Sequence, residues 1–186
     1  MNFTGWELDV FLGVVYMFIH SIAVAVYIGG AVAMEYVLKP AQRAIPPAQA
    51  QVMGQKTADR FLWLVWGALI LILLTGALRL QHAGMLGWEW PFFYGPLSLF
   101  ESYGRTVLAM FLIWCVLVVN GLVITFVLRP RLAGRLSART PASGVAAAQG
   151  SKIQAATWVE RLTRFDIVAA LVAALLGASL RWGGML

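Results

Sequence analysis

His20 places an imidazole inside the apolar run from Phe11 to Met34, among Val, Ile, Ala, Phe and Tyr. A group that titrates near neutrality and meets no water needs a hydrogen-bond partner, a metal or a haem, and ionisable groups at membrane depth are functional candidates by default. Met17 stands three residues earlier and shares a helical face with it. A thioether beside an imidazole suits Cu(I), and His/Met is also a haem ligation mode. The second histidine opens His82-Ala83-Gly84-Met85, another His/Met pair, with Met185 on the same side of the chain. Candidate metal ligands are therefore His20, Met17, His82 and Met85, and candidate ligands of a haem b are His20 and Met17. The residues equally allow His20 to hydrogen-bond to a neighbouring helix through Asn120, Ser21 or a carbonyl, and His82 to be an interfacial histidine.

The elements that must position these groups are membrane helices. Hydrophobic residues make up 61% of the chain and charged residues 12%, with a mean hydropathy of +0.79, far from the balance of a soluble globular domain. A hydrocarbon core of roughly 30 Å takes about 20 apolar residues per helix. Four stretches qualify, at 10–37, 61–82, 105–129 and 164–182, too long and too evenly apolar for strands. The expected fold is an all-α integral-membrane four-helix bundle, residues 1–186 forming a single domain. Asp9 and Glu7 precede the first span where a signal peptide would carry basic residues, so that span is expected to stay as a helix. At 1.5 Å per residue, His20 lies roughly 15 Å into span one, whereas His82 lies at the end of span two. That difference in depth disfavours one haem shared by both histidines.

Charge placement sets an expected orientation. Lys39, Arg43, Lys56 and Arg60 separate spans one and two, and Arg129, Arg131, Arg135, Arg139, Lys152, Arg161 and Arg164 separate spans three and four. Only Arg79, Arg105 and Arg181 fall on the other side. The positive-inside rule then makes both basic loops cytoplasmic and puts the N-terminus and C-terminus outside. The net charge of +6 thus reports topology and contact with anionic lipid, not nucleic acid.

Lys39-Pro40 is expected to close span one, Pro46-Pro47 to lead into a short helix before span two, and residues 136–150 to form a flexible cytoplasmic linker. Gly76 reads as a close helix contact, and Ala169/Ala173/Gly177 and Ala170/Ala174/Ala178 as packing ladders. The segment 83–103, with Trp88, Trp90, Phe92, Phe93, Tyr94 and Phe100, reads as an interfacial anchor or as a lid or docking surface. Glu35, Asp166, Arg79, Glu101, Arg105 and Arg181 lie near span ends, where interhelical pairing or snorkelling is expected. Cys115 is alone and has no disulfide partner. No nucleotide loop, hydrolase elbow or zinc motif is present, and no catalytic residue is assigned.

Several short motifs occur in a telling order: Ile19-His20, then Tyr27-Ile28-Gly29-Gly30, Val37-Leu38-Lys39-Pro40, Leu74-Thr75-Gly76, Ser102-Tyr103-Gly104-Arg105, and Asn120 through Leu128-Arg129-Pro130. Over about residues 16–132 this order resembles the copper-resistance D (CopD) family and its short four-helix membrane relatives. The resemblance implies copper binding and transport or delivery across a bacterial cytoplasmic (inner) membrane, with His20 as the family histidine. Tyr27 stands where a Trp is usual in that family, and Arg105-Thr106-Val107-Leu108 where a Lys typically follows. A weaker resemblance is to HemJ-type protoporphyrinogen oxidases, four-helix proteins that bind haem b through a first-span histidine. An accessory subunit of a larger membrane complex, or a homo-oligomer, is the expectation from a different class, carried by the aromatic loop and the small-residue helix faces.

Overall fold

The computed structural model describes residues 5–85, 97–132 and 145–186. Helix α1 (Gly5–Val32) runs through a π-helical turn, Ala33–Leu38, into the short α2 (Lys39–Arg43). Helix α3 is Pro47–His82. Helix α4 (Ser102–Leu122) passes through a second π-helical turn, Val123–Leu128, into α5 (Arg129–Leu132). Helix α6 (Val145–Ser179) ends in a 3₁₀ turn, Leu180–Trp182. Four of the resulting rods are long and apolar enough to cross a membrane. No strand occurs among the described residues, and the architecture is an all-α four-helix bundle.

Two expected boundaries are corrected. Span one continues past Lys39-Pro40 to Arg43, because the helix widens just before the proline. In a regular α-helix Pro40 would leave a carbonyl without its donor and drive its ring against the preceding turn. The π turn absorbs both, with the Lys39 N–H bonded to Met34 O, five residues back. The same device precedes Pro130, where the Arg129 N–H reaches Ile124 O. Pro47 does not lead into a separate short helix either. It sits in the first turn of one continuous helix reaching His82, a place where its missing N–H costs nothing. Of the expected linker, residues 136–144 lie outside the described residues, and 145–150 are already helical.

Helix α1 packs along α3, and α4 along α6, as two antiparallel hairpins. Contacts between the hairpins run chiefly through α1 and α6, with a shorter contact of α3 against α4. The core is assembled from Tyr27, Ala68, Leu69, Leu117 and Ala170, so every spanning helix contributes. Trp114 of α4 reaches across and donates its Nε1–H to Leu69 O of α3 at 3.0 Å.

The hairpins are structurally equivalent. The register that carries Ala33 onto Val123 superposes the two π turns residue for residue, and sets Val37-Leu38-Lys39-Pro40 on Val127-Leu128-Arg129-Pro130. It also matches buried Tyr27 with buried Leu117, and Ala31 with Gly121. In the return helices, the register that carries Gly76 onto Gly177 matches buried Leu69 with Ala170, Thr75 with Leu176, and Asp59-Arg60 with Glu160-Arg161. The basic end is tied across the hairpins by two ion pairs, Glu35–Arg164 at 2.9 Å and Asp59–Arg129. Under the equivalence they occupy matching helix pairs with the charges exchanged.

Candidate functional site

His20 faces α3 at its small-residue turn. Its Nδ1 lies 2.9 Å from Thr75 Oγ1, and the Thr75 hydroxyl itself donates to Leu71 O. With the hydroxyl donating to Leu71 O, the ring in its Nδ1–H tautomer donates to Oγ1. The arrangement is a relay, Nδ1–H to Thr75 to Leu71 O. It leaves Nε2 as the unprotonated nitrogen, the form in which an imidazole ligates a metal. Thr75 is 3% exposed, so this partner is fixed by packing.

Gly76 completes the seat. A Cβ there would lie 3.5 Å from His20 Cε1 and 3.8 Å from Nδ1, ordinary contact distances that place the imidazole edge against this turn of α3. Gly76 is the close helix contact expected of it. Leu74-Thr75-Gly76 thus supplies the partner and the space, while the residues expected to hold His20 do other work. Ser21 donates to Met17 O, and Asn120 donates to Asp166 Oδ1 at 2.7 Å.

Met17 lies on the outside of the bundle, 56% exposed, whereas His20 is half-buried against α3. The matching seam of the second hairpin is filled by a methionine, on α4 rather than beside His20. Met110 occupies in α4 the place of His20 in α1, and its Cε would lie 3.2 Å from a Cβ at Gly177, the counterpart of Gly76. The match was legible in the shared Val-Leu-basic-Pro endings, which set the register between the two helices.

No family model, curated protein or solved structure matches the chain.

His82 forms a separate, outer feature. Its ring packs over Gly13, where a Cβ would lie 3.3 Å from both Cδ2 and Nε2. It also meets Tyr16 edge-on, with centroids 6.1 Å apart. Gly13 is seven residues from His20, about 10 Å along the helix, so the two imidazoles occupy different levels of the same α1–α3 seam. Met85 follows the end of α3, its N–H bonded to Leu80 O at 2.9 Å, and Met185 is exposed. No group of three or more His, Cys, Asp or Glu side chains with metal-site geometry occurs among the described residues.

Several charged residues near the helix ends, Glu35, Arg164 and Arg105 among them, are committed to specific partners. Glu35 is buried and paired with both Lys39 and Arg164, and Arg164 also holds Glu160. Arg105 donates to Leu99 O, Phe100 O and Leu186 O at 3.1, 3.0 and 2.9 Å. It thus fastens the segment after Gly183 to the start of α4. Gly184, at φ +97°, lies against Ser102 O too closely for any Cβ. Of the aromatic segment, Trp88, Trp90, Phe92, Phe93 and Tyr94 lie outside the described residues, and Phe100 is 94% exposed.

Proposed function

We propose that the chain is a CopD-like membrane protein that binds copper at His20 and passes it across or along a bacterial cytoplasmic membrane, with its basic end in the cytoplasm. The observation that carries this reading is the His20–Thr75–Leu71 relay. A hydrogen bond satisfies a buried imidazole whether or not it binds a ligand, but here it also leaves the second ring nitrogen available. A ligand histidine gains from such a bond, because an outer hydrogen bond fixes the ring and raises the basicity of the coordinating nitrogen. The order of motifs from Ile19-His20 to Arg129-Pro130 supports the same reading. Thioethers complete a Cu(I) set with imidazole, and Met17, three residues from His20, is the one on the same helix. His82 with Met85 would serve as an outer capture point.

The test is metal content of purified protein reconstituted with Cu(I), for wild type and His20→Ala. Wild type is expected to retain copper that His20→Ala loses, and equal retention would refute the assignment. The same imidazole presented through Nε2 suits a haem b iron. A Soret band in purified wild type that disappears in His20→Ala would transfer the site from copper to haem. Recovery of stoichiometric partner proteins with neither cofactor would favour the accessory-subunit reading, for which the exposed Phe100 and Trp182 side chains offer a surface.

A further inference from the structure

The bundle buries two carboxylates, and it treats them differently. Glu35, 5% exposed, is flanked by Lys39 from its own helix and Arg164 from α6. Asp166, 6% exposed, forms no ion pair among the described residues, and its hydrogen-bond donor is a neutral amide, Asn120 Nδ2 to Oδ1 at 2.7 Å. Along α6, Asp166 lies two residues beyond Arg164 toward the opposite end, about 3 Å deeper. Asn120 lies nine residues inside Arg129, about 13 Å by the same rise. The carboxylate is therefore buried just inside the charged end of the bundle with no ion-pair partner of its own among the described residues, where an ionised group is costly.

We propose that Asp166, held by Asn120, is a proton-binding site inside the bundle. Each spanning helix packed around it has a defined part. Helix α1 brings Tyr27, buried in the shared core. Helix α4 brings Asn120, whose amide N–H occupies Oδ1 and leaves Oδ2 to take the proton. Helix α3 contributes the apolar Ala68 and Leu69 to the adjoining core. The charged groups nearest along α1 and α6 are Glu35, Lys39, Glu160, Arg161 and Arg164; all but Arg161, which is exposed, are engaged with one another. The only chemistry is reversible proton transfer to Oδ2, the neutral acid being favoured by the apolar surroundings and the anion by the Asn120 bond. The site stands apart from His20, so it does not depend on the copper reading.

The equivalence of the hairpins makes the site specific to one half. The places of Asn120 and Asp166 are taken in the first hairpin by Gly30 and Val65, and Gly30 is filled by the Phe61 ring, 2.6 Å from where a Cβ would be. A polar pair was thus not needed to pack this level of the scaffold.

Infrared difference spectra of reconstituted full-length protein test the proposal, comparing wild type with Asp166→Asn. At about pH 5.5, where ordinary carboxyls with pKa near 4 are ionised, wild type is expected to show a protonated-carboxyl C=O band that Asp166→Asn lacks. That band should fade as the pH is raised to about 9. Asn120→Ala should keep the band at a shifted frequency, since it removes a hydrogen bond and not the acid. If Asp166→Asn fails to fold, a hydrophobic carbodiimide, which attacks the neutral acid and leaves a stable N-acylurea, should label Asp166 of wild type, less as the pH rises. A wild-type spectrum without the band, or one in which it is unchanged across the whole range, would overturn the proposal. So would labelling suppressed by sodium at fixed pH, which would make the site a metal-cation site.

Discussion

The two hairpins share a backbone plan down to the π turn before each basic-Pro pair, yet they carry different chemistry. In the first, the α1–α3 seam holds an imidazole on Thr75 and Gly76, and an apolar Gly30–Phe61 contact lies nearer the basic end. In the second, the matching seam holds a thioether on Gly177, and an amide–carboxylate pair lies nearer the basic end. Each polar group thus sits where the other hairpin is apolar. The scaffold therefore does not demand the polarity at either level, which makes matched substitutions in the two hairpins the most direct way to separate function from packing.

The largest difference lies at Gly104, whose counterpart in α1 is Val14. A Cβ at Gly104 would lie 2.2 Å from Ser98 O and 2.7 Å from Leu97 O, so backbone would have to move. Val14 is exposed. Gly104→Ala is expected to destabilise by about 3 kcal/mol or more, and Val14→Ala by no more than about 0.5 kcal/mol, read from denaturation in detergent micelles. Similar values for the two would mean that the chain entering α4 is not packed as described.

Next come Thr75 and Leu176, both buried and both one residue before the seam glycine. Thr75→Val keeps the shape and removes the hydroxyl, so under the copper reading Cu(I) affinity should fall about 10–100-fold. Leu176→Ala should leave affinity unchanged but lower stability by about 2 kcal/mol, the low end of core truncations because lipid already solvates apolar groups. Competition with a Cu(I) chelator, alongside a denaturation series, separates the two outcomes. Equal affinity in Thr75→Val and wild type would leave the relay without a ligand to orient.

The level of Asp166 gives the third comparison. Asn120→Ala strands a buried carboxyl without its donor and should cost about 1–3 kcal/mol. The double change Asn120→Gly with Asp166→Val, which copies the first hairpin, should recover most of that loss, because removing both partners leaves nothing unsatisfied. A double variant no more stable than Asn120→Ala would show that the pair contributes more to this bundle than a neutral exchange allows.

Much of this arrangement was legible from residue types, but its pairings were not. The four apolar rods follow from span length, and His20 stands out because every neighbour in its run is apolar. Thr75 and Gly76 were visible as a motif, yet no spacing rule assigned them to His20, because partners across a hairpin depend on helix rotation and vertical register. Those are set by contacts such as Gly30 on Phe61 and Gly13 under His82. Asn120 and Asp166 were each noticed and assigned to different roles for the same reason. Proline misled at Lys39-Pro40 because the expected break presumes a regular α-helix, and a single widened turn removes the clash.

The smallest expected effect is at the seam glycines themselves. A Cβ on Gly76 meets His20 Cε1 at 3.5 Å, an ordinary contact, whereas on Gly177 it meets Met110 Cε at 3.2 Å. Gly76→Ala should therefore change stability by less than about 1 kcal/mol, the helix propensity gained by alanine offsetting any slight crowding. Gly177→Ala should do much the same, because the end of a methionine side chain swings aside at little cost. Under the copper reading, a methyl 3.5 Å from His20 leaves the ring in place, so Gly76→Ala should leave Cu(I) affinity unchanged, while Gly177→Ala, which shifts the end of Met110, lowers it only if Met110 is a ligand. Unchanged affinity in both assigns the site to the first hairpin alone. A loss confined to Gly177→Ala makes the thioether of the second hairpin a partner of the imidazole of the first.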